Sequence, residues 1–508
     1  VTAFDHLIVA PIVIPAVTAA VALLVMRRRR RLGAALSLAG CVAGLLAAVA
    51  LLVTASDDAI RVYAIGGWRA PFGIVLVLDR LSAAMLVLAS LLGTIVMAHA
   101  VITAADRKGW HFHPLFQFQL LGLNGAFLTG DLFNLFVFFE VLLIASYGLM
   151  LHGQGAARLK AGVAYVVVNI VGSAIFLVAL GLLYGLTGTL NMADMGVRIA
   201  MLPSGDGGLA RIAGLLLTAV FALKAALVPL HLWLPRTYAA TMPVVAALFA
   251  IMTKVGVYAM IRVVPLVFGA TTGEAAWVPS PWLAPAAIVT ALLGFGGVLS
   301  GRGLRESAAF AVLGSTGSLL LVLAAWTPAA TAAALFYLIN ATLAGAALFL
   351  VADVAMRRRG QYGDAIVPTP RFAGQDAVGL LYLATCIAAI GLPPLSGFIG
   401  KLLMLRATVD APAQPAIWAT ILGTTLIGVV GFARSGSAIF WKPADGGAGL
   451  VSAERSRADL TAPAAALGAI VLLTVFAGPV SDWTAATARQ VFAADRYVAA
   501  VLSSEAGR

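Results

Sequence analysis

The segment Phe221–Arg262 reads FALKAALVPLHLWLPRTYAATMPVVAALFAIMTKVGVYAMIR, two apolar runs with one lysine inside each, Lys224 and Lys254. Pro229, His231 and the sequence Trp233-Leu234-Pro235 lie between them. Each run is close to the ~20 residues that cross a bilayer core as helix. An ammonium in the middle of such a span costs roughly 2.5–3.5 kcal/mol on insertion scales. A chain that accepts this cost twice in one segment is expected to use the charge. The rest of the sequence is therefore read around these two lysines and two further groups, Glu140 and Lys401.

Composition makes the surroundings a membrane. The 508 residues are 62% hydrophobic and 11% charged, with a mean hydropathy of +1.01. Soluble domains carry about 25% charged residues. Apolar runs of spanning length recur along the whole chain, so the expected fold is an all-α polytopic membrane protein. A β-barrel would need short alternating strands instead. The net charge of +12 belongs to loops and does not point to nucleic acid. Cys41 and Cys386 are lone residues in apolar runs, read as small hydrophobes. No spacing for a metal, haem, cluster or phosphate-cradling loop stands out, so no cofactor is expected. The first run, Leu7–Met26, is followed rather than preceded by Arg27–Arg31, and is read as a retained span.

About fourteen helices are expected, at 5–26, 32–54, 73–101, 112–129, 131–151, 162–187, 211–231, 240–265, 282–300, 305–326, 329–355, 376–408 (interrupted), 414–440 and 461–482. Loops after odd-numbered helices, among them Arg27–Arg31, Arg357–Arg359 and Arg455, hold about twice as many basic residues as the other side. That asymmetry predicts both termini outside the cytoplasm. The sizeable non-membrane segments are 188–210, 442–460 and the C-terminal tail. Weak amphipathic spacing in the tail (Val491, Phe492, Tyr497, Val498) predicts a position at the interface or on a neighbouring subunit.

Helix breaks carry more information than the count. Gly391-Leu-Pro-Pro-Leu-Ser-Gly397 interrupts the twelfth run, and Pro229 falls at the end of the seventh. Proline removes a backbone donor and frees a carbonyl. Such irregular backbone is tolerated at membrane depth where it lines a cavity or is buried in protein. One interrupted helix in each half is the expected sign of an inverted-repeat transporter with its site near the midplane.

Glu140 lies mid-helix, Lys254 is central in its run, Lys224 comes shortly before Pro229, and Lys401 follows the Gly391–Gly397 break. The chain has only six lysines among 33 basic residues, yet the three basic groups read as deep in the membrane are all lysine. Arginine does not release its proton in a protein, whereas a buried lysine does. This choice predicts proton transfer rather than mere charge. The bland alternatives are a Glu140–Lys224 pair that only locks helices, and a Lys401 that snorkels to an interface. His231 reads equally as a relay or a helix-end histidine. Asp131 reads as a helix N-cap. Asp79, Asp353 and Asp376 are expected at interfaces, and His99, His111 and His113 flank a loop.

The stretches DLFNLFVFFEVLLIASYGLM (131–150), PVVAALFAIMTKVGVYAMIR (243–262) and GLPPLSGFIGKLLML (391–405) resemble the proton-conducting subunits shared by Mrp-type cation/proton antiporters and respiratory complex I, most closely the D-type subunits of Mrp antiporters. The resemblance implies fourteen helices with two inverted five-helix repeats, helices 4–8 and 9–13, and broken helices 7 and 12. Corresponding units are 1–111, 112–265, 282–440 and 441–508. It implies that Glu140 and Lys224 pair at one half-channel, that Lys254 is central, and that Lys401 stands at the exit. Relatives often carry a histidine and a lysine on the eleventh helix, where this chain has Asn340 and Gly345. Its link from Lys254 to Lys401 is therefore expected to use Tyr337, Asn340, Thr342, Ser315 or Thr316, with water. The implied function is proton translocation in a multisubunit Na⁺ or K⁺/H⁺ antiporter of a bacterial plasma membrane, with other membrane subunits as partners. The alternative is the antiporter-like subunit of complex I or of a membrane-bound hydrogenase. A third is a structural scaffold.

Overall fold

The computed structural model describes residues 5–26, 29–203, 205–442 and 457–502. Arg27, Arg28, Arg455 and most of the 442–460 stretch lie outside them. The N-terminal part contains α1 (Ala10–Met26), α2 (Arg30–Thr54), the hairpin strands β1 (Arg61–Ala64) and β2 (Val75–Leu78), and α3 (Arg80–Ile102). Next come α4 (Phe112–Leu128), α5 (Leu132–Leu151), α6 (Ala156–Thr187), α7 (Met192–Ala200), α8 (Gly207–Lys224), α9 (Trp233–Ala240), α10 (Pro243–Phe249) and α11 (Met252–Val267). The remainder comprises α12 (Ser280–Ser300), α13 (Leu304–Leu323), α14 (Pro328–Arg358), α15 (Gln375–Ile390), α16 (Ser396–Ala407), α17 (Gln414–Gly436), α18 (Thr461–Val475), α19 (Ala477–Phe492) and α20 (Ala494–Leu502). Twelve stretches among the described residues are long and apolar enough to cross a membrane. At 17, 16 and 12 residues, α4, α15 and α16 are shorter.

Several boundaries differ from expectation for local reasons. The run at 73–101 is not one helix. Val75–Leu78 is β-branched at alternate positions and pairs antiparallel with β1, Arg61 opposite Leu78. Asp79 then caps α3, accepting from the Ser82 amide while the Ser82 hydroxyl receives the Asp79 amide. The expected loop at 188–210 contains α7, which Asn191 caps by accepting from the Ala193 and Asp194 amides. Asp131 does cap α5, through the Asn134 amide at 2.8 Å.

Burial sorts the helices into layers. The 243–267 stretch is wholly buried and α14 nearly so, whereas only a third of the most apolar part of α1, α2 or α6 is covered by protein. α14 is the central strut, packed on α10, α13, α15, α16, α18 and α19. The tail does not lie free at an interface. α19 packs on α14 and α3, α20 packs on α7, and Val491 and Tyr497 are buried. Two of the aspartates expected at interfaces are also interior. Asp79 pairs with Arg262 at 2.5 and 2.8 Å, and Asp353 joins His99 at 3.0 Å and Arg357 at 2.6 Å. Asp376 is exposed, opposite Arg371.

Candidate functional site

Helix geometry brings Lys224 and Lys254 onto adjacent elements. α8 ends at Lys224, and the chain stays out of α-helix through Pro229 until α9 begins at Trp233. Gly256 on α11 is pressed against this end. A Cβ there would meet the Phe221 carbonyl oxygen and the Ala225 nitrogen at 2.6 Å. Only glycine allows so close a crossing, so α11 rests directly on the last turn of α8.

Lys224 is buried, and its Nζ donates to Asn169 Oδ1 on α6 at 2.9 Å. Glu140, half-buried on α5, accepts from the Ser173 hydroxyl, also on α6. The expected Glu140–Lys224 pair is thus not a direct contact: no ion pair joins them among the described residues. Each is held by a neutral group, and the two holders lie one helical turn apart on α6.

Lys254 is fully buried, and its Nζ donates to Thr316 Oγ1 at 3.1 Å and Ser315 Oγ at 3.4 Å on α13. Thr316 also donates to the Thr253 hydroxyl at 3.2 Å. Lys401 is buried on α16, donates to Thr425 Oγ1 on α17 at 2.6 Å and stands 5.4 Å from the Phe295 ring centroid. Its position depends on the break before it. Gly391 closes α15 with φ +79°, and a Cβ there would meet Lys401 Cδ at 2.9 Å. A side chain at 391 would therefore need a strained backbone and would displace the lysine stem.

Among the relay candidates, Asn340 braces this break. Its Nδ2 donates to the Ala388 carbonyl at 3.1 Å and its Oδ1 accepts from Ser396 at 2.8 Å. The Tyr337 hydroxyl is buried without a partner among the described residues, and the ring lies against Gly400, next to Lys401. Thr342 bonds back to the Leu338 carbonyl of its own helix. His231 is half-buried between α8 and α9, with Nδ1 unpartnered among the described residues.

Three partners escape sequence reasoning: Asn169, Ser173 and Thr425. The first two carry a signal. Tyr165, Asn169 and Ser173 are the polar residues of the otherwise apolar 161–183 stretch, spaced four apart. A further titratable group lies away from the lysines. His113 faces Asp106 at 3.1 Å, and His152 reaches the Ala105 carbonyl at 3.2 Å, where burial pushes its imidazole below the ordinary value.

A family model described as NADH:quinone oxidoreductase/Mrp antiporter, TM, matches residues 129–428. The chain is 38% identical over 533 residues to the D subunit of a probable K(+)/H(+) antiporter of Rhizobium meliloti (strain 1021), covering 98% of both. It is 35% identical over 410 residues to the D subunit of the Na(+)/H(+) antiporter of Alkalihalophilus pseudofirmus, covering 79% of this chain and 80% of the relative. A chain in the solved structure of the Mrp complex from Dietzia sp. DQ12-45-1b superposes with a TM-score of 0.88 at 27% identity, over 99% of this chain and 100% of that one. The chain therefore belongs to the NADH:quinone oxidoreductase/Mrp antiporter family, among its D-type antiporter subunits.

Proposed function

We propose that this chain carries protons across the membrane through a row of four groups, Glu140, Lys224, Lys254 and Lys401, within an antiporter that exchanges Na⁺ or K⁺ for H⁺. The chain is a membrane subunit of a multisubunit cation/proton antiporter and a secondary transporter rather than an enzyme. The observation that carries the row is the setting of its lysines. All three are buried, and each donates to a neutral oxygen: an amide for Lys224, hydroxyls for Lys254 and Lys401. Such oxygens accept from an ammonium and from a neutral amine alike, so they do not commit the lysine to one protonation state. Gaining or losing a proton at one station changes the affinity of the next, which passes charge along the row.

Protons enter at the Glu140–Lys224 end and leave past Lys401. His231, Tyr337, Asn340, Thr342, Ser315 and Thr316 are candidate links, with water between them. The architecture that supports this is fourteen spans, obtained by adding α4 and the interrupted α15–α16 unit to the twelve long stretches. Helices 4–8 and 9–13 form inverted repeats, with breaks in helices 7 and 12. The corresponding units are 1–111, 112–265, 282–440 and 441–508. The protein lies in a bacterial plasma membrane with both termini outside the cytoplasm. Glu140 is half-buried in the isolated chain. A carboxylate facing lipid is costly, so a sibling protein of the complex covers that side.

Glu140→Ala and Lys224→Ala in the assembled complex test this reading. Each is expected to abolish antiport in everted vesicles while the companion subunits still co-purify. Normal antiport in either variant would sink the row.

A further inference from the structure

α6 packs against both α5 and α8 and carries one polar stripe, Tyr165, Asn169 and Ser173. Each member is already bonded. Tyr165 meets the Ser146 hydroxyl at 2.9 Å, Asn169 accepts from Lys224, and Ser173 donates to Glu140. The orientation of the Asn169 amide is fixed, because its Nδ2 donates to the Tyr165 carbonyl at 2.9 Å. Its Oδ1 is thereby committed to Lys224. A cavity of about 10 Å³ adjoins this contact, lined by Asn169, Lys224 and Tyr165 and reaching Met252 and Val255 on α11, which flank Lys254. That is about the least volume a water molecule needs.

Resting on the proton row, we infer that Asn169 is a positioning residue of the Glu140–Lys224 half-site: it holds the lysine apart from the carboxylate, on a neutral acceptor, so that the lysine's proton is free to move on. Ser173 does the corresponding work for Glu140. A carboxylate in direct contact would favour the charged form of both partners and keep the proton in place. An amide oxygen keeps its hydrogen bond whether Lys224 is charged or neutral. The titratable and charged groups around this half-site include Glu140 and Tyr147 on α5, Tyr165 on α6, Tyr238 on α9, Lys254 on α11 and His231 in the segment after α8, with Arg158 and Lys160 at the start of α6, Arg211 near the start of α8, Tyr258 and Arg262 further along α11, and Glu274 against the far end of α8 at Gly207. Glu140 is the carboxylate among those near Lys224, and each of the two bonds a residue of α6 rather than the other.

The experiment is antiport measured against pH in vesicles carrying the whole complex, with Asn169→Ala, Asn169→Asp and Asn169→Gln compared with Lys224→Ala. Asn169→Ala is expected to lower turnover about tenfold near neutral pH, the scale of one lost hydrogen bond to a charged group. Asn169→Gln restores part of it. Asn169→Asp places a carboxylate on the lysine and is expected to move the pH of half-maximal antiport upward by about one unit, a tenfold change in proton affinity. Wild-type turnover and pH profile in the Ala and Asp variants would overturn the inference. So would an equal loss in all three variants with an unmoved pH profile, which would mark Asn169 as packing. If Lys224→Ala itself retains antiport, the row fails; if that variant is inactive and the Asn169 variants are normal, only the role of Asn169 fails.

Discussion

Lys224 and Lys401 both stand beside a helix interruption, but they are furnished differently. Lys224 ends α8, with the irregular segment after it; Lys401 lies within α16, with the irregular segment before it. Lys224 bonds an amide and has a carboxylate held on the same neighbouring helix. Lys401 bonds the Thr425 hydroxyl and faces the ring of Phe295. Among the described residues no acidic group pairs with it. A ring face attracts an ammonium modestly, by about 0.5–2 kcal/mol. The first station thus holds its lysine on an amide with a carboxylate on the neighbouring helix, whereas the second holds it against a hydroxyl and a π-face. The difference teaches that two stations of the proposed row need not hold a proton with equal strength.

The largest test of this comparison removes the second station. Lys401→Ala is expected to reduce antiport to background, as at the first station, because the proposed row loses its exit lysine. Thr425→Val should do less, lowering turnover about fivefold, since a single hydrogen bond contributes about 0.5–1.5 kcal/mol. Vesicle antiport assays on both variants separate the outcomes. Full activity in Lys401→Ala would end the row at Lys254 and make Lys401 a packing residue.

A smaller effect is expected from Asn340, which braces the second break as Thr290, accepting from the Val228 amide, and Trp233, donating to the Leu223 carbonyl, brace the first. Its two contacts, to the Ala388 carbonyl and Ser396, tie α14 to both sides of the interruption. Gly397 packs under them, where a Cβ would collide with the Ala388 carbonyl and meet the Asn340 Nδ2 at 3.0 Å. Asn340→Ala removes both ties, leaving Ser396 only its longer bond to the Ile470 carbonyl, and is expected to cost about 1–3 kcal/mol of stability. The readout is the thermal stability of the detergent-solubilised complex. Unchanged stability with lost antiport would instead make Asn340 a direct link between Lys254 and Lys401.

Much of this contrast is legible in the sequence. Apolar runs and lysine placement point to the spans and to the proposed row, because charge in hydrocarbon is too costly to be incidental. Ser315 and Thr316, expected as links beyond Lys254, are its hydrogen-bond partners. What stays hidden is pairing across the fold. Asp79 looks interfacial because it opens a helix; its partner Arg262 is 183 positions away. Asp353 finds His99 across 254 positions. The lack of a direct Glu140–Lys224 contact also needs the structure, since opposite charges on nearby helices read as a pair until each is seen bonded to a neutral side chain of α6. β2 is easily absorbed into a helix because four apolar residues, Val75–Leu78, fit either period until Asp79 and Ser82 mark where the helix starts.

The smallest expected effect concerns the base of α13, the helix that supplies the Lys254 hydroxyls. Arg305 grips Asp364 in the loop after α14 with two bonds of 3.0 Å, and the Leu304 amide donates to the Asp364 carbonyl at 2.9 Å. Burial alone would raise the Asp364 carboxyl, but the hydrogen bonds and charge of Arg305 hold it below the ordinary value. A depressed folded value means the pair contributes in full above the ordinary carboxylate range, about pH 3.9, and is lost as pH falls through the lower folded value. Throughout the working range of a plasma-membrane antiporter the grip is therefore closed. Asp364→Asn should lower stability by only about 1 kcal/mol, the scale of a partly exposed pair. Hydrogen exchange at residues 359–366 checks this directly. Protection in the native protein should stay level from pH 8 to pH 5, apart from intrinsic exchange, and the Asn variant should be slightly less protected throughout. A steep loss of protection near neutral pH would mean that the loop is held by a histidine-dependent contact instead. The second half of the row would then be the pH-sensitive one, the reverse of what the firmly held Asp364 implies.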